Sequence, residues 1–81
     1  MTLPETYEAV SPVAQKVLAI PQFDGSISMH TTPSWDSLSH VELLSAVEQR
    51  FDIEVDADEA FKLTSAEKLV RYVHKVLESR K

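Results

Sequence analysis

The sequence predicts an all-α fold: a four-helix bundle of three main helices and one short helix, with a long first loop. Three observations predict it. Apolar residues recur at helical spacing in three separate segments. The one alternating stretch, Phe51-Asp52-Ile53-Glu54-Val55-Asp56, has no second strand to pair with. A single glycine and the absence of cysteine leave helix packing, not sheets or disulfide staples, as the source of stability. With 81 residues, 43% of them hydrophobic, the chain has room for one domain, residues 1–81, around one small core.

The first helix is expected from about Pro4 to Ala19, because Tyr7, Val10, Ala14, Val17 and Leu18 share a face. Pro12 either kinks this helix or opens a shorter one with Ser11 as its N-cap. The unbroken periodicity favours the kink. Residues 20–36 have no sustained period. Pro21, Asp24-Gly25, Thr31-Thr32-Pro33 and Ser34 are loop chemistry. Ile20, Phe23, Ile27, Met29 and Trp35 lie among them, so the loop should lie over the core. A structureless connection of this length in a small domain is more often functional than not.

The second helix is expected from Ser37 to Arg50, with Asp36 as an N-cap whose charge suits the helix dipole. A turn of 100° per residue puts Val41, Leu43, Leu44, Val47 and Phe51 on one broad face and Glu42, Ser45 and Gln49 opposite. Leu38 projects with the polar set. His40 projects toward the core side, near Trp35. Residues 51–56 read as an extended connector that buries Ile53 and Val55. A short third helix follows, about Ala57 to Lys62. Thr64-Ser65-Ala66-Glu67 reads as a capping box, with Thr64 as N-cap and Glu67 reaching back. It opens a last helix to about Glu78, whose stripe is Ala66, Leu69, Val70, Val73, Val76 and Leu77. Lys68, Arg71 and Lys75 should face water.

The net charge of −5 disfavours nucleic acid, whose phosphates need Lys and Arg. The charge is also divided. Residues 36–60 hold eight acidic side chains against Arg50 alone, while residues 61–81 hold six basic and two acidic. Such a field would steer basic partners toward the start of the second helix. No stretch is long enough to span a membrane. Glu5 and Glu8 near the start, with no basic cluster, argue against a leader peptide. A cytoplasmic, free-standing monomer is expected.

Little in the chain suggests catalysis. Ser37 has Asp36 beside it and His40 three residues on, but neighbours in sequence do not make a relay, and the Gly-x-Ser-x-Gly turn is absent. Asp52, Glu54, Asp56 and Asp58 resemble the first half of a calcium loop, yet Ala57 stands where glycine is needed and Leu63 where glutamate is needed. His30, His40 and His74 share no ligand spacing. No catalytic residue, no resident metal and no enzymatic activity are expected. Ser37 itself is either a plain helix cap or a handle to which something is attached. A phosphate there would suit a helix start.

At this point the chain resembles the acyl carrier protein family. Asp36-Ser37-Leu38 is similar to its attachment motif. Val41-Glu42-Leu43-Leu44, Val47-Glu48 and Phe51-Asp52-Ile53-Glu54-Val55 are similar to its second helix and the following loop. Asp58-Glu59-Ala60 and Leu63-Thr64-Ser65 resemble its short third helix and the cap of its fourth. The similarity covers about residues 34–77. It implies a four-helix bundle and a 4′-phosphopantetheine arm, taken by Ser37 from coenzyme A through a phosphopantetheinyl transferase. It implies that acyl groups are held as thioesters on that arm, with no catalysis by the carrier. Asp36 would help position the modifying enzyme's metal-bound substrate. Leu38, Val41, Glu42 and Glu48 would form the docking surface for loading, condensing or acyltransferase enzymes with basic faces. Val41, Leu44, Phe51 and Ile53 would line the core or a cargo pocket. Ser34 and Trp35 depart from the glycine and small residue usual before the motif in fatty-acid carriers, and His40 departs from the usual small residue. Trp-Asp-Ser-Leu-x-His looks more like free-standing carriers of specialised polyketide, peptide or modified-acyl pathways.

Overall fold

A computed structural model describes residues 2–79. Four helices follow in order: α1 (Leu3–Leu18), α2 (Ser37–Phe51), α3 (Ala57–Ala60) and α4 (Ala66–Ser79). This is the all-α architecture expected.

Helix α1 begins at a capping box. The Thr2 hydroxyl accepts from the Glu5 amide at 3.3 Å, and the Glu5 carboxylate accepts from the Thr2 amide at 2.8 Å. The helix runs unbroken through Pro12, so the shorter helix capped by Ser11 does not form. Its buried stripe is Thr6, Val10, Ala14 and Leu18. Tyr7 and Val17 flank that stripe half-buried. The helix stops where Ala19 turns left-handed, at φ 54°. Thr6 is the surprise. It is fully buried, bonds the Thr2 carbonyl at 3.0 Å, and meets His74 Nδ1 of α4 at 3.1 Å.

The long loop lies over the core as expected, with Phe23 and Trp35 buried and their ring centroids 6.4 Å apart. It is also stitched to the start of α4. The Met29 amide donates to the Thr64 carbonyl, and the Ala66 amide to the Ile27 carbonyl, each at 2.9 Å. An isolated antiparallel bridge, Ser28 with Ser65, joins them.

Helix α2 buries His40, Leu43, Leu44, Val47 and Phe51. Val41 does not belong to that set and is exposed, a correction to the broad apolar face expected. It lies about 100° around the helix from the centre of the buried stripe. Covering it would require a neighbour that the one-turn α3 does not supply. The connector buries Ile53 and half-buries Val55. α3 ends at Ala60 instead of Lys62, because Lys62 donates to Glu59 and Leu63 to Ala60 in tightened three-residue steps. The cap of α4 shifts as well. Ser65 Oγ, not Thr64, accepts from the amide of Lys68, at 3.2 Å. Thr64 is engaged by the loop through Met29, and Glu67 pairs with Arg71 at 3.1 Å. The α4 stripe is otherwise as expected, with Ala66, Leu69, Val70 and Val73 buried. α1 packs against both α2 and α4 and holds the bundle together.

Candidate functional site

The start of α2 is built by Asp36. Its backbone is extended, at φ −102° and ψ −172°, and its carboxylate accepts from the Ser39 amide at 2.9 Å. The Asp36 carbonyl accepts from the His40 amide at 2.8 Å. Bonding from Ser39, chiefly its backbone amide, holds the Asp36 carboxyl below the usual carboxylate range. Asp36 is therefore the cap. Ser37 takes the first helical position and is exposed. Its hydroxyl has no hydrogen-bond partner among the described residues.

Beneath this turn sits Trp35, 1% exposed, whose indole Nε1 donates to His40 Nδ1 at 3.0 Å. His40 Nε2 meets the Ala60 carbonyl, the end of α3, at 2.7 Å. The two rings lie 6.0 Å apart at an interplanar angle of 30°. This satisfied position is the one the sequence suggested for His40. It leaves the imidazole no free nitrogen with which to activate Ser37.

An apolar cavity of about 240 Å³ opens beside Ser37 and is walled by Met29, His40, Val41, Phe61 and Thr64. Around it stand three exposed large apolar side chains: Leu38 (71% exposed), Val41 (62%) and Phe61 (82%). Glu42 is exposed on the same helix. Glu48 is half-buried, and its carboxylate accepts from the Val55 amide at 2.8 Å, fixing the connector. Phe61 has no part in the expectations from sequence, and Met29 is expected over the core but not beside Ser37. Phe61 follows a one-turn helix whose end periodicity cannot locate, and Met29 reaches the site only through the stitch to Thr64. A larger hollow of about 500 Å³, lined by Leu3, Tyr7 and Phe23 among others, includes none of the residues around Ser37. Among the described residues no group of three or more acidic or histidine side chains is placed to hold a metal. None of their helices is long and apolar enough to cross a membrane.

Residues 35–73 match the family described as the phosphopantetheine attachment site. Three proteins named acyl carrier protein are similar over 41 residues, 51% of this chain. The one from Akkermansia muciniphila is 54% identical, over 51% of its own length. Those from Buchnera aphidicola subsp. Schizaphis graminum and Campylobacter concisus are each 44% identical, over 52% and 53% of theirs. The chain spans about half the length of the curated relatives it matches.

Proposed function

We propose that the chain is an acyl or aminoacyl carrier modified at Ser37, a reading supported by the match of residues 35–73 to the phosphopantetheine attachment site and by the similarity to acyl carrier proteins. The family's cofactor is covalently attached 4′-phosphopantetheine. When bound, this group supplies a terminal thiol that holds acyl groups as thioesters.

The observation that carries the reading is the division of roles at the head of α2. Asp36 closes the helix end through Ser39, and the exposed Ser37 hydroxyl is left with nothing to cap. A helix N-terminus favours a phosphate nearby, so the residues present fit the group. Asp36, ionised at neutral pH, keeps the turn that presents the hydroxyl in place. The chain performs no chemistry of its own and presents its cargo to other enzymes.

Leu38, Val41 and Glu42 form the docking surface, with Glu48 behind them on the same helix. The excess of acid over residues 36–60 draws in partners with basic faces. These are a phosphopantetheinyl transferase, an enzyme that loads the cargo, and condensing enzymes or acyltransferases that remove it. The chain works in the cytoplasm as a monomer. Ser34 and Trp35 before the motif, with His40 after it, support a specialised polyketide, peptide or modified-acyl pathway over the housekeeping fatty-acid role.

Intact mass before and after a promiscuous phosphopantetheinyl transferase and coenzyme A tests the reading. A gain of one arm is expected in the wild type and none in Ser37→Ala, whose thermal stability should match the wild type. No gain in the wild type, or a gain that survives Ser37→Ala, would overturn it. Binding of a basic partner that ignores Ser37→Ala, with no mass gain in either protein, would favour a non-covalent helical adaptor.

A further inference from the structure

We propose that His40 is a specificity-determining partition that confines the tethered cargo to the cavity beside Ser37, so that the chain suits short or compact acyl groups. The inference rests on the carrier reading and adds a limit on cargo size.

Two apolar cavities lie on either side of the imidazole. One, about 240 Å³, opens beside Ser37 and is backed by Met29 and Thr64. The other, about 230 Å³, runs between α2 and α3 toward Leu44, Val55 and Ala60. The walls they share are His40, Val41 and Phe61. Val41 and Phe61 are exposed and form the outer rim, whereas His40 is buried. His40 is thus the interior wall between the two.

That wall is fixed at both ring nitrogens. An indole N–H can only donate, so His40 Nδ1 must accept from Trp35 and Nε2 must carry the hydrogen. Nε2–H then donates to the Ala60 carbonyl at 2.7 Å. Trp35 is itself buried and braced by Phe23, so the ring cannot swing aside without stranding the buried indole N–H. A chain entering beside Ser37 therefore stops at the imidazole. Each cavity is below the range of about 300–1,000 Å³ in which drug-sized ligands sit, and joined they would enter it.

The test uses wild type and His40→Ala, each loaded on Ser37 with acetyl, butyryl and octanoyl arms from the matching acyl-coenzyme A and checked by intact mass. Amide chemical shifts of Leu44 and Val55 are then followed as the acyl chain lengthens. In the wild type they should stay put from butyryl to octanoyl. In His40→Ala the octanoyl arm should displace them, and its thioester should resist hydroxylamine several-fold longer than in the wild type. Displacement already present in the octanoyl wild type would overturn the partition, as would a folded, loaded variant that behaves like the wild type. Trp35 fluorescence reports whether His40→Ala folds. If it does not, His40→Asn keeps an acceptor for Trp35 on a shorter side chain that withdraws from Ala60, whose carbonyl keeps the Leu63 amide, and should show the same displacement. A chain that accepts no arm fails at the mass measurement, which sinks the carrier reading. An arm accepted by His40→Ala with no change in its shifts sinks only the role of His40.

Discussion

Asp36 and Ser39 are joined by a carboxylate-to-amide hydrogen bond of 2.9 Å, and the residue skipped at the head of α2 is the one that matters. Had Ser37 been the cap, its oxygen would be tied to the backbone of its own helix. The cap lies one residue earlier, and an accessible hydroxyl is displayed at a rigid helix end.

The same bond gives a pH signature. The Asp36 carboxyl is held below its ordinary range in the folded chain, so its contribution is present above the unfolded carboxylate pKa and disappears as pH falls through the folded value. Asp24, held down by Ser26, behaves in the same direction. Asp36→Asn keeps a good cap that does not titrate in this range. Thermal melts should show wild type at least as stable as Asp36→Asn at neutral pH, with any advantage shrinking in acid. An advantage that grew in acid would contradict the assignment.

Val47 and Val41 differ by less than two turns of one helix and should respond in opposite ways to truncation. Val47 is fully buried and Val41 is largely exposed. Val47→Ala should cost about 1–3 kcal/mol, scaled from core truncations. Val41→Ala should stay within about 0.5 kcal/mol. Urea unfolding of both variants measures the difference directly.

Ala19 ends α1 with φ 54° and ψ 48°, where a Cβ is strained. Glycine relieves that strain but loosens the unfolded chain, which cancels part of the gain. Ala19→Gly should still stabilise the fold by up to about 1 kcal/mol, raising Tm by several degrees at most. A lower Tm would show the left-handed turn to be wrongly placed.

Leu38 and Phe61 are the most exposed large apolar side chains of the described residues, and little in the fold needs them. Leu38→Ala and Phe61→Ala should leave the melting temperature nearly unchanged and slow transfer of the arm from coenzyme A at limiting transferase. A large loss of stability in Leu38→Ala would mean that the phase of α2 is wrong.

Much of this fold was legible because its buried stripes repeat at helical spacing, as Leu69, Val70 and Val73 do in α4. The outward direction of Leu38 was legible for the same reason, and the cap at Asp36 from a carboxylate standing just before the apolar period. Periodicity reports direction around a helix but not what stands opposite. Val41 was therefore placed with the core, although α3 is too short to cover it. The Thr64 cap was misread because Met29, far away in sequence, takes up the Thr64 carbonyl. The box at Thr2 and Glu5 was a local signal present in the sequence and overlooked. Burial of Thr6 had no such signal, since its partner His74 lies on another helix.

The paired strand-like contact of residues 27–29 with 64–66 makes the neighbourhood of Ser37 a non-local product. Its closure must bring together stretches from opposite halves of the chain, and such encounters come late and slowly in folding. A fragment ending before α4 would still contain Ser37 and the whole of α2. It would lack the anchor that seats Met29, and so would display the serine without its surroundings.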